Sequence, residues 1–482
     1  MKNFAKVLSM ILVATTLFNA CQKSQPGIAL TTSTKNKQWY KNENISVMDY
    51  SKDDSYDIEI NIDESEQVID GFGGSFNELG WEAMSVLSPE RKKEIIEAIF
   101  SEKGCNFNIC RMPIGANDFA VDWYSLNETP GDYEMKNFSI DRDKKRLIPY
   151  IKMAMEFQPD LHVWGSPWCP PSWMKKNGYY ACKATEYNDL PKDLPHNENG
   201  DTDFITDEKT QKAYALYFTE YVKAYQEQGI NVYAVHVQNE PHSCQPFPSC
   251  LWSGPDLKNF VRDYLGPKFH AEEMNTEIWY GTIERPYENQ WINEIDELLE
   301  DQEAMKYLTG FGFQWAGKDA IPTIHKRQPY MKMMHTETEC GDGQNTWERG
   351  QYTYELLRHY FDNGANSQMH WNMILSENQI SPWGWEQNSM VTVNHKTKKI
   401  TFNPEYYVFK HFSHFIKPNA KKLKISGERT SELAFQNPNG ELVFVTHNNA
   451  NDSGTLTIKI NDKLVTVDLP KNSISTFTLS KF

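Results

Sequence analysis

The chain has 482 residues, 39% hydrophobic and 13% aromatic, enough for one barrel-sized core and a smaller satellite domain. Its 49 basic and 65 acidic residues leave a formal charge of −16, and such a surface repels polyanions. That argues against nucleic acid and anionic lipid as partners, and against phosphate-bearing ligands.

Lys2 and Lys6 precede an apolar run over residues 7–18, and the small Ala20 precedes Cys21. This is the layout of a secretory signal over residues 1–21, too short for a membrane span. A small residue before cysteine resembles a bacterial lipobox and makes Cys21 a candidate lipid anchor, although Phe18 and Asn19 depart from that pattern. The expectation is export, either as a membrane-anchored lipoprotein at the periplasm or cell surface or as a secreted protein. Residues 22–40, rich in Ser, Thr, Gln and Lys, read as a flexible tether. No later stretch is long and apolar enough for an integral membrane span.

Alternating runs at 45–50 and 56–62 place strands within residues 41–64, expected to pair with strands at the other end of the chain. Residues 65–400 alternate short β-rich runs with helical patterns. Eight strands are predicted, over 67–76, 106–115, 162–168, 232–240, 277–283, 308–315, 330–337 and 368–375. Ser88-Pro89 opens a helix, Tyr214, Tyr217, Tyr221 and Tyr225 mark one face of another over 207–228, and a third covers 347–361. The fold class is α/β, a (β/α)8 TIM barrel. Residues 401–482 begin with a helix over 404–415 and continue as short alternating runs split by turn residues, a C-terminal β-sandwich completed by the N-terminal strands.

Eight cysteines include the close pairs Cys105/Cys110 and Cys244/Cys250, and a short disulfide is expected of the second. Neither pair has zinc-ligand spacing, so no metal is expected. Gly71-Phe72-Gly73-Gly74 lacks the spacing of a phosphate loop and reads as a site of close backbone packing.

Two predicted strands end in carboxylates. One ends in Gln238-Asn239-Glu240-Pro241, the other in Thr336-Glu337 followed by Thr338-Glu339-Cys340. Barrel active sites form at the carboxyl ends of strands, and the 97 positions between Glu240 and Glu337 hold about three βα units of ~30 residues. The pair therefore belongs to the fourth and seventh strands, across the mouth from each other. Two facing carboxyls, one protonated and one ionised, are what glycosidic bond cleavage uses, and no cofactor is needed. Glu339, on the same side of an ideal strand as Glu337, stays an alternative to it.

These motifs, with Ile69-Asp70-Gly71-Phe72-Gly73-Gly74-Ser75-Phe76, Arg111-Met112-Pro113-Ile114-Gly115, Asp118 and Ser166-Pro167-Trp168-Cys169-Pro170-Pro171-Ser172-Trp173-Met174, resemble glycoside hydrolase family thirty. That family contains glucosylceramidases, β-1,6-glucanases and xylan-acting enzymes. The resemblance runs from about residue 45 to the end and implies Glu240 as acid/base and Glu337 as nucleophile of a retaining reaction. It implies Asn239 at the sugar 2-hydroxyl, Arg111 beside a carboxylate, and Asp118 and Trp168 gripping the sugar. Gln314 and Trp315 face substrate in this reading, and Phe313-Gln314-Trp315-Ala316 departs from the His/Tyr-containing glucosylceramidase version. The resemblance is therefore to the β-1,6-glucanase branch, with a β-glucan or β-glucoside as substrate. Trp371, Trp383 and Trp385 add aromatic surface, Trp383 being taken as a substrate contact. A glucosylceramidase-like exo-β-glucosidase or β-xylosidase is the alternative enzyme, and a non-catalytic glycan-binding lipoprotein the alternative of another class.

Overall fold

A computed structural model describes residues 27–194, 201–287, 293–427, 429 and 432–480; the expected export signal and Cys21 lie outside them. Eight parallel strands close into a barrel: β1 (Gly71–Ser75), β2 (Ile109–Pro113), β3 (His162–Ser166), β4 (Val232–His236), β5 (Glu277–Ile283), β6 (Leu308–Gln314), β7 (Lys332–Glu337) and β8 (Ser367–Asn372). The strands alternate their side chains. On β4, Val235 packs outward with the helices, while Ala234 faces inward beside Ile109, Trp164, Trp279, Met334 and Met369. Those inward residues fill the barrel and form the floor under its mouth.

Glycines set how closely the strands and rings approach. A side chain at Gly73 would begin 1.5 Å from the Ile109 carbonyl, so the glycine run of β1 serves close packing against β2. A Cβ at Gly312 would lie 2.5 Å from the His236 ring, which packs tilted against Trp164 with centroids 4.1 Å apart. The bare Gly312 thus seats His236 and leaves Gln314, two residues on, at the mouth.

Ten further strands bond in one series and enclose a second apolar core that includes Leu30, Ile58, Phe444, Val465 and Phe477. Ile45–Asp49 pairs with Lys463–Leu469, and Ile58–Val68 lies between Lys421–Gly427 and Gly454–Ile460. This is the β-sandwich, and both ends of the described chain contribute to it.

Two expected boundaries move. Residues 27–42 are not tether: Gly27–Thr34 runs antiparallel to Ser473–Ser480, and Lys37–Asn42 turns back along it. The threonines that read as linker are good strand formers here. Leu30 enters the sandwich core and the Thr32 hydroxyl pairs with Ser475 at 2.9 Å. The helix Pro404–Ser413 packs Phe412 on Phe361 of the barrel helix Trp347–Asp362 and Phe409 on Phe107 and His370, so the barrel layer continues past residue 400. Among the described residues, no helix is long and apolar enough to cross a membrane.

Candidate active site

The carboxyl ends of the strands surround a cavity of about 380 Å³ whose lining includes Asp118, Trp168, Asn239, Glu240, Trp315 and Glu337. Arg111 rises from β2 beneath it and is fully buried. Its guanidinium donates to Glu337 Oε2 at 2.7 Å, to Asn239 Oδ1 at 2.6 Å and to Ser166 Oγ at 2.9 Å. Trp168 covers the same group, with its ring centroid 4.2 Å away.

Gln314 joins the two glutamates. Its Nε2 donates to Glu240 Oε1 at 2.9 Å and to Glu337 Oε2 at 3.3 Å. The two oxygens therefore lie no more than about 6.2 Å apart, the sum of those distances. Two backbone devices bring them there. Glu240 has φ of 46°, the left-handed region a glutamate seldom adopts, at the turn into Pro241. On β7 the pairing with β6 slips between Phe313 and Gln314, so that Gln314 meets Glu337 one residue out of step. This extra residue breaks the alternation that sends His335 outward onto Tyr360. Unbroken alternation would have carried Glu337 outward with Met333 and His335.

Burial raises the pKa of Glu240, with Gln314 and Arg111 pulling the other way, and it raises Glu337 against the pull of Arg111. Asp118 is pushed up to about 7, first by burial and then by Glu240. The carboxyls titrate as a group and share the Arg111 cation. Glu337 touches that cation directly, whereas Glu240 accepts from the neutral amides of Gln314 and Gln245 and feels Arg111 and Arg285 without a hydrogen bond to either.

Glu339 takes a different position. It also lines the cavity, but its carboxylate is paired with Lys318 Nζ at 2.6 Å and the Tyr352 hydroxyl at 2.8 Å rather than with Arg111. Trp383 is also displaced from its expected place. It lines a neighbouring cavity with Trp123, Tyr180 and Tyr187, its indole donating to the Tyr180 hydroxyl at 3.3 Å. The turn Ser381–Trp385 sends Trp383 to that side and Trp385 to the central cavity, a split that residue spacing cannot reveal in a loop. Trp371 is buried core. Gln314 faces carboxylates more than open space, and Trp315 forms part of the wall.

Glu284 and Cys340 were overlooked in the sequence. Glu284, directly after β5, is buried at the wall and accepts from the His242 amide at 2.9 Å and the Ser243 hydroxyl at 3.0 Å. A carboxylate directly after a barrel strand was the available signal. The Cys340 thiol donates to Glu337 Oε1 at 3.5 Å. Cys244 and Cys250 do not form the expected disulfide. Cys250 is a buried thiol, and Cys182 is the cysteine that hydrogen-bonds Cys244. Cys182 donates its amide to Gln245 O at 3.0 Å across the loop, which is what brings it beside Cys244.

Residues 69–416 match the family model for the glycosyl hydrolase family 30 TIM-barrel domain, and residues 419–477 the one for its β-sandwich domain. The chain is a family 30 glycoside hydrolase. Relatives of this hydrolase include the lysosomal acid glucosylceramidase of Mus musculus, 26% identical over 421 residues that cover 81% of this chain and 77% of that one. The endo-1,6-beta-D-glucanase neg1 of Aspergillus fumigatus is 25% identical over 433 residues, covering 86% and 85%. Among solved structures, SrfJ from Salmonella typhimurium superposes with a TM-score of 0.84 at 23% identity, covering 95% of the hydrolase and 100% of SrfJ. The endo-beta1,6-glucanase BT3312 does so with 0.80 at 24%, covering 94% and 100%. At these identities the structural likeness concerns the fold.

Proposed function

We propose that this hydrolase is an endo-acting β-1,6-glucanase that works with net retention. The observation that carries the mechanism is the single amide nitrogen bonded to both glutamates. A separation of no more than about 6.2 Å between the bonded oxygens suits retaining enzymes, at ~5–5.5 Å, better than inverting ones, at ~6.5–9.5 Å. Glu337, charged beside Arg111, attacks the anomeric carbon while Glu240 gives its proton to the leaving oxygen. Glu240 then takes a proton from water, which releases the sugar from Glu337. The Asp118 oxygen Oδ1 is buried with no partner among the described residues, a waiting acceptor for a sugar hydroxyl, and Asn239 stands between the carboxyls for the 2-hydroxyl. Trp315 and Trp385 supply faces for the flanking sugars.

The linkage rests on the two glucanases among the relatives and on the sixth strand, where Gln314-Trp315-Ala316 replaces the glucosylceramidase pattern. Release of short gluco-oligosaccharides from pustulan, with laminarin, cellobiose and xylan left intact, is the expected result. Glucose alone from short β-glucosides would instead establish an exo-β-glucosidase, the reading that the glucosylceramidase relatives favour. We also propose export with lipidation at Cys21. Incorporation of labelled palmitate should disappear in Cys21→Ala.

A further inference from the structure

Gln314 is held in one orientation. Its Oε1 accepts from the Thr336 hydroxyl at 2.9 Å and from Arg111 Nη1 at 3.4 Å. Because arginine only donates, the oxygen must face Arg111 and the NH2 must face the two glutamates. Both are therefore within reach of one donor, and their charges change places during a two-step reaction. In the free enzyme Glu337 is the carboxylate. In the glycosyl-enzyme Glu337 is a neutral ester, and Glu240, having given its proton to the leaving group, is the carboxylate.

We infer that the Gln314 amide is a charge-following donor that stabilises Glu240 as the general base of the second step. The inference rests on the retaining reading above. Glu337 has Arg111 at 2.7 Å, so it depends little on Gln314 when it attacks. Among the described residues Glu240 has no cation in hydrogen-bond contact, Arg111 and Arg285 acting on it from farther off. Among the described residues, its other hydrogen-bond donor is Gln245 Nε2, at a long 3.5 Å. When Glu240 becomes charged, its bond to Gln314 turns from a neutral contact into a charge-assisted one. The nitrogen already lies closer to Glu240 than to Glu337, so a small shift completes the exchange. Gln314 also biases the first step. Glu240 Oε1 accepts the shorter bond, from Gln314 at 2.9 Å, which favours Oε2, with its long 3.5 Å contact to Gln245, as the seat of the acid proton.

The test replaces Gln314 by methionine, similar in length and without a donor, and follows 2,4-dinitrophenyl β-glucoside by stopped flow. This leaving group departs without proton donation, so the first step does not need Glu240 as acid. Gln314→Met should show a burst of one dinitrophenolate per enzyme and a kcat lowered about 10- to 100-fold, the worth of a hydrogen bond to a charged group. KM should fall in parallel, leaving kcat/KM within about threefold of wild type. Azide, an anion that needs no base, should restore turnover by taking the sugar from Glu337 as the β-glycosyl azide, which returns Glu337 to a carboxylate. Thr336→Val, which loosens the amide but keeps it, should show a weaker form of the same pattern and serves if the methionine variant does not fold. An equal fall in kcat and kcat/KM, or no azide rescue, would overturn the role. A wild-type enzyme that forms no covalent adduct with a 2-fluoroglucoside would overturn the two-step reading, and this inference with it.

Discussion

The barrel mouth and the β-sandwich use burial in opposite ways. The sandwich core is apolar, with Phe444 stacked on Phe477 at 4.7 Å, and ion pairs such as Lys424–Glu64 lie outside it in solvent. The mouth buries Arg111, Glu337, Glu240, Asp118 and Glu284 close together. Desolvating so many charges costs stability that hydrogen bonds and one guanidinium only partly return. The difference shows where this molecule keeps its stability and where it gives stability up for chemistry.

The largest effect expected from that contrast is on turnover. Glu337→Gln should lower kcat on the order of 10⁵- to 10⁶-fold, as in other hydrolases that lose a nucleophile, and lower the melting temperature, because buried Arg111 loses its ion-pair partner. Glu240→Gln should slow substrates with poor leaving groups by about 10²- to 10⁴-fold and dinitrophenyl glucosides far less in their first step. Its melting temperature should rise, because a buried carboxyl with a raised pKa is replaced by an amide. Phe444→Ala should do the reverse. It should cost about 3–5 kcal/mol in denaturant titration and leave kcat unchanged below the melting transition.

The smallest effects come with pH and differ in sign between the two regions. Asp118 has its pKa raised to about 7 in the fold, so the stability it contributes is present at low pH and declines as pH rises from about 4 toward 7. Asp118→Asn should therefore gain on wild type across that window, by at most about 1.4 kcal/mol per pH unit. His411, between Ser33 and Thr476 at the sandwich, is lowered by burial to about 3. Its stability is full above about 6.5 and falls as pH drops toward 3, so His411→Gln should lose less than wild type on acidification. Melting temperatures recorded against pH for both variants give the two slopes.

Much of the barrel was legible because it depends on local pattern. Each βα unit carries its own alternating strand and its own turn residues, and a carboxylate ending a strand lies at the level of the mouth. Glu240, Glu337, Arg111 and Asp118 were named on that basis together with the resemblance; the three carboxyls line one cavity and Arg111 lies buried beneath it. What depended on distant partners was not legible. Gly27–Thr34 looked like linker because its neighbour, Ser473–Ser480, lies more than four hundred residues away. The slip that turns Glu337 inward is a property of two paired strands, and neither strand shows it alone. Gln314 was placed toward substrate because its spacing shows the strand end, while the choice between substrate and carboxylates is made by Arg111 and Thr336.

The most direct measurement of the central claim is peptide mapping after inactivation with a 2-deoxy-2-fluoro-β-glucosyl fluoride. One sugar should be found esterified to Glu337. A label on Glu339 or Glu284, or no adduct on an enzyme that still turns over, would contradict the assignment of attack to the glutamate that Arg111 holds.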